Sequence, residues 1–167
     1  GDVRDSSAEK LALAAALKGQ LAADRLVEAD KGRGRTLFNR HCAGCHQLYG
    51  HGEKVGPDLT GADRKNLDYL VDNLADPSAS LAADFRMTVF ELKDGRVVSG
   101  VVMTRTPQAI SVRTQKELVT IAPDEVEESQ PTSLSLMPEG LLDALSEAER
   151  RDLFGYLMYP VQVPARD

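Results

Sequence analysis

The chain has only two cysteines, Cys42 and Cys45, and His46 follows them directly; the run Cys-Ala-Gly-Cys-His constrains the fold more than any other feature. C-x-x-C-H is the signature of c-type haem attachment. Two thiols separated by two residues can each add to one vinyl group on the same edge of a porphyrin. The adjacent imidazole then lies under the iron as its fifth ligand, and neutral imidazole is a strong ligand for haem iron near pH 7. Two other uses of such a pair are weaker. A thioredoxin-like redox motif needs a surrounding βαβ pattern, and none is visible. Half of a zinc site needs a second ligand pair, yet the chain holds three His, two Cys and no second C-x-x-C.

The 167 residues, 42% of them hydrophobic, suffice for one core with a small appended module. A charged fraction of 28% is ordinary and argues against wholesale disorder. No apolar run approaches the roughly 20 residues of a membrane helix, so no transmembrane segment is expected. A net charge of −6 argues against a general nucleic-acid binder, and 5% aromatic content without Trp leaves few stacking platforms. The chain does not begin with Met and has no apolar signal region, so it reads as a mature form or as a domain excised from a larger protein.

The pattern along the chain predicts helices around the motif and strands after it. Ser6 and Glu9 form a capping box ahead of an amphipathic helix over about 7–29, with Leu11, Ala14, Leu17, Leu21 and Leu26 or Val27 on its apolar face. Residues 1–30 are therefore read as an N-terminal helix or tether, separate from a haem domain over 31–160 and a tail over 161–167. A second helix over 33–41 carries Gly34, Leu37 and Phe38 into the attachment site. Val55–Gly61 is a loop, and a helix over 63–75 follows with Leu67, Leu70, Val71 and Leu74 at helical spacing until Asp76-Pro77 stops it. From Phe85 the residues favour strands near 86–92, 96–104, 108–114 and 117–122, with Asp94-Gly95 as a hairpin turn. These make a four-stranded antiparallel meander, inserted at 85–128 and closed by the acidic stretch Asp124–Glu128. Ser146 and Glu149 form a second capping box, opening a last helix over 147–158. The expected fold is mainly α with a β insertion (α+β).

Gly34, Phe38, Cys42–His46, the Gly56-Pro57-Asp58-Leu59 loop and a final helix with Leu153 and Tyr156 together resemble a class I cytochrome c. In that family the Gly and aromatic of the first helix pack against the last one, and Gly34 would let the two backbones approach closely. A narrower resemblance covers about 32–158. It is to the haem-binding domain at the C-terminus of large planctomycete-type dehydrogenase-like proteins. Gly56–Leu59, Asp76–Ala79, Lys93–Arg96 and Ser135–Leu141 carry it. The first helix lies outside the match.

The resemblance implies one covalent haem c and places the distal iron ligand at Met137, in a Met-Pro loop ahead of the last helix. With the strand-rich insertion set aside, the path from His46 to Met137 is short, as in a compact cytochrome. Met87 and Met103 fall in expected strands and Met158 on the last helix, where each reads as a core filler. His51 follows His46 too closely to cross to the other haem face, and His41 sits beside a tethered Cys. By the same resemblance the Pro57 carbonyl accepts a hydrogen bond from the His46 Nδ1–H, and Leu59 packs on the haem face with Leu67 or Leu70. Arg35, Arg40, Arg64 and Lys65 are candidates for the haem propionates, but a solvated charged face explains them equally well.

His/Met ligation leaves no open coordination position and suits one-electron transfer. The expected role is an electron-transfer module, not an enzyme by itself, working between an upstream dehydrogenase domain or redox partner protein and another carrier. The alternative is a haem enzyme or gas sensor with a labile sixth ligand, although no obvious distal acid–base pair is present beyond His51 or Glu139. A third reading makes the meander a binding module. Its six basic and seven acidic residues single out no partner. Covalent attachment implies, by the same resemblance, a periplasmic or otherwise extracytoplasmic location.

Overall fold

Ser7 starts the first helix: its hydroxyl accepts the Lys10 backbone N–H and caps α1 (Ala8–Gln20) in this computed structural model, which describes residues 5–166. The helix expected over 7–29 breaks after Gln20. Leu21 is almost wholly buried at the C-cap, Ala22 adopts an extended conformation, and a separate single turn, α2 (Ala23–Leu26), follows. The break redirects the chain, and Val27, expected on the apolar face, is left 77% exposed.

Asp30 caps α3 (Lys31–His41), its side chain accepting the Gly32 and Arg33 N–H groups at 2.9 and 3.1 Å. This cap starts the helix two residues before its expected beginning. Asn66 caps α4 (Leu67–Ala75) through the Tyr69 N–H. That helix was expected from 63, but the segment before it turns instead, and Arg64 is drawn into the interior. The capping box of Ser146 and Glu149 opens α5 (Glu147–Leu157), with both reciprocal bonds made.

The described residues fall into two compact units, Asp5–Ala79 with the chain from Pro138 onward, and Ser80–Met137. The first is helical. Its core holds Leu17, Leu21, Leu37, Phe38, Leu48, Val71, Leu153, Phe154 and Tyr156. α1 packs on α4, α2 on α5, and α3 crosses α5. At that crossing a Cβ on Gly34 would stand 2.7 Å from the Tyr156 Cβ and collide with the Asp152 carbonyl, so only Gly permits the approach. Phe38 and Tyr156 meet beside it with ring centroids 5.8 Å apart.

The second unit is one antiparallel sheet of β1 (Arg86–Leu92), β2 (Val97–Arg105), β3 (Ile110–Arg113), β4 (Leu118–Ile121) and β5 (Val126–Ser135). The spatial order is β4-β3-β2-β1-β5. The first four strands form the expected meander, and the expected count of four is corrected to five. The acidic stretch does not merely close the sheet: Pro123–Glu125 is a 3₁₀ turn that leads into β5, which pairs with β1 through Phe90↔Ser129 and Thr88↔Pro131. Phe90, Leu92, Ile110, Val112 and Ile121 form this unit's own core. Pro131 has no N–H to donate, and an edge strand tolerates that.

Candidate functional site

α3 delivers Cys42 at its C-cap, the Cys42 N–H donating to the Phe38 carbonyl at 2.8 Å. The chain then turns tightly, so that the Cys45 and His46 N–H groups both donate to the Cys42 carbonyl, at 3.0 and 2.9 Å. The next loop folds back on this turn. Val55 and Gly56 donate to the Cys45 carbonyl, Glu53 to that of Ala43, and Leu59 to that of Gln47. With both ends of the loop tied by backbone bonds, the site does not depend on side-chain packing alone.

The loop also fixes the imidazole. His46 Nδ1 lies 2.9 Å from the Pro57 carbonyl oxygen. A carbonyl can only accept, so Nδ1 carries the proton and the Nε2 lone pair is left for a metal. A Cβ on Gly56 would fall 2.6 Å from His46 Cε1, so the bare glycine makes room for the ring. Asp58 holds the turn beyond Pro57 by accepting the Thr60 N–H at 2.8 Å, and this bond holds its carboxyl below the usual carboxylate range. Leu59 is half-buried against the helical core.

Cys42 and Cys45 are free thiols, each partly buried. Burial, with Cys45 alongside, pushes the Cys42 thiol up to about 12. Raised in this way, the thiol resists ionisation, unlike the low-pKa cysteine of a redox nucleophile. Among the described residues no group of three or more His, Cys, Asp or Glu side chains is placed to hold a metal ion. Two thiols and an imidazole whose Nδ1 is bound to a carbonyl have the chemistry a c-type haem needs: the thiols would supply its thioether bonds and Nε2 an iron ligand.

Tyr49, three residues past His46, holds a φ of 52°, unusual for a bulky residue. Its N–H donates to Thr60 Oγ1 at 2.8 Å and its hydroxyl to the Tyr159 carbonyl at 2.5 Å. Arg64 lies 4.9 Å over the Tyr49 ring and donates to the Tyr49 hydroxyl and to the Leu157 and Tyr159 carbonyls. It is only 8% exposed, so the solvated-face explanation of this arginine is wrong, whereas Arg40 and Lys65 are exposed as that explanation requires. Arg35 is half-buried and donates to the Val163 carbonyl at 2.6 Å. The Nε atoms of Arg35 and Arg64 are buried with no hydrogen-bond partner among the described residues. Nothing near Arg64 in the sequence signals its burial, because the carbonyls that satisfy it come from the far end of the chain.

The structure thus brings Cys42, Cys45, His46 and Pro57 together, with Leu59 in the same loop system. Met137 stands at the end of the sheet unit, half-buried, its N–H donating to Ser135 Oγ at 3.2 Å.

The cytochrome c family model matches residues 32–94, which contain all but the first residue of α3, the C-x-x-C-H motif, the loop around His46, α4 and β1. That family binds a covalent c-type haem with iron, and haem c is the cofactor the match supports. Its general role is haem-based electron transfer, usually outside the cytoplasm. α1, α2, α5 and β2 to β5 lie outside the matched segment. No curated protein matches the chain closely enough to count as a relative. No helix among the described residues is long and apolar enough to cross a membrane.

Proposed function

We propose that this chain is a one-electron carrier module in which Cys42 and Cys45 tether one haem c, His46 is the proximal ligand and Met137 the distal one. The observation that carries the reading is the His46–Pro57 bond, which sets the neutral ring's proton on Nδ1, gives Nε2 the ligand role and strengthens the imidazole as a donor. Met137 is proposed from its Met-Pro sequence and its position immediately ahead of the segment that returns to the helical unit. When bound, haem would supply a ferric/ferrous couple, and a thioether ligand in place of a second imidazole would favour the ferrous state.

The chain's own residues keep that couple simple. The loop bonded back to Cys45 holds the imidazole in one orientation in both states. Leu59 and the core behind it supply an apolar wall, and electrons would enter or leave on the side where Cys42 and Cys45 are partly exposed. The resemblance to planctomycete-type dehydrogenase-like proteins supports a place at the C-terminus of a larger periplasmic oxidoreductase, whose upstream domain or partner protein is the donor. In this reading the helical unit, α1 and α2 included, holds the haem, so the first 30 residues are no separate tether, and the strand-rich unit Ser80–Met137, longer than the expected 85–128, is an insertion that docks or shields. The module carries out no catalysis by itself.

Optical spectra of the oxidised and reduced holoprotein, with and without CO, test this reading. A low-spin spectrum in both states, unmoved by CO, is expected. A high-spin ferric spectrum or ready CO binding would replace the carrier reading with a haem enzyme or gas sensor.

A further inference from the structure

α1 lies outside the segment that matches the family, yet one of its side chains reaches the stretch that follows Met137. Lys10 Nζ is 3.0 Å from Asp76 Oδ1 and 2.5 Å from Glu139 Oε1. The two carboxylates differ in kind. Asp76 sits at the C-cap of α4 with its side chain 3% exposed, and such a buried carboxylate needs a cation nearby. Glu139 is 57% exposed and has no such need. Its pairing does something else: it ties the Pro138–Gly140 turn to α1 and to the end of α4. Pro138 has a fixed φ, Gly140 takes a φ of +73°, and the next turn is closed by the Asp143 N–H donating to the Gly140 carbonyl at 2.9 Å. Met137 is thus separated from the clamped residue by a single proline.

We infer that Lys10 is a positioning residue for the distal ligand: by gripping Glu139 it anchors the chain just past Met137 and slows the escape of the Met137 thioether from the iron. The inference rests on the reading of Met137 as that ligand. It also gives α1 a role a simple tether would not have.

Glu139→Gln tests it, because the Lys10–Asp76 pair survives and the exposed site leaves folding intact. The readouts on the ferric holoprotein are the rate at which added imidazole displaces the sixth ligand, amide hydrogen exchange over residues 138–142, and the thermal midpoint. Displacement about two- to five-fold faster is expected at low salt, the scale of one partly exposed ion pair. Faster exchange over 138–142 should accompany it, with little change in midpoint. Wild type should approach the variant at about 1 M salt, where the pair is screened. Unchanged displacement and exchange in Glu139→Gln, with thioether ligation lost in Met137→Ala, would overturn the role of Lys10 and leave the ligand reading standing. A Met137→Ala protein with the wild-type spectrum would overturn both.

Discussion

The His46 Nδ1 atom and the Pro57 carbonyl oxygen are 2.9 Å apart, and this bond decides what the imidazole can do. It fixes the proton on the nitrogen that faces the loop. It also fixes the ring's orientation, because Pro57 belongs to a loop tied at Gly56 to the Cys45 carbonyl. The attachment motif and its supporting loop therefore act as one piece of backbone.

Gly56→Ala tests that piece. The new Cβ would fall 2.6 Å from His46 Cε1, with backbone bonds on both sides opposing a shift of the loop. The expected result is a displaced ring, a weakened Pro57 bond and a loss of about 1–3 kcal/mol typical of overpacking. Haem content per chain and the denaturant midpoint of the holoprotein measure it; wild-type values for both would remove the glycine's role.

Gly34→Ala tests the crossing of α3 over α5. The clash is with backbone at Asp152 and with the Tyr156 Cβ, neither of which can rotate away. A destabilisation of about 1–3 kcal/mol is expected, read as a lower urea midpoint. Leu37→Met, which conserves volume in the same helix, should cost less than about 1.5 kcal/mol.

Acid should lower stability in part through two capping carboxylates. The Asp30 carboxyl is held below its ordinary value, first by the Arg33 backbone N–H and then by that of Gly32. Glu149 is likewise lowered, first by the Ser146 backbone N–H. A group whose folded value is depressed contributes stability above its unfolded value, near about 4. That contribution is lost as pH falls from there through the folded value. Urea midpoints measured between about pH 7 and pH 3 should fall at the acid end, and less steeply in Asp30→Asn, whose amide oxygen still caps α3 but does not titrate. An identical slope in that variant would assign the acid sensitivity elsewhere.

What could be read in the sequence was local. Covalent attachment demands consecutive residues, so Cys42, Cys45 and His46 announce themselves, and Ser146 with Glu149 marks the start of α5 through bonds three residues apart. What escaped depends on distant partners or on exposure. Apolar spacing continues past Leu21, but burial of Leu21 turns the chain there and leaves Val27 in solvent. β5 lacks the two-residue alternation of a half-buried strand because most of its residues are exposed along the sheet edge, with Val126 its link to the core. Arg64 looks like any surface cation until the carbonyls of Leu157 and Tyr159 are brought to it.

In the proposed carrier, His46 and Met137 are the two protein ligands of one iron. The most direct test of this claim is the red region of the ferric spectrum, where thioether ligation gives a weak charge-transfer band, compared between wild type and Met137→Ala. The band should be present in wild type and absent in the variant, with a lower reduction potential and new CO binding by the reduced form. A variant that kept the band and the potential would contradict the claim and move the distal ligand to another residue.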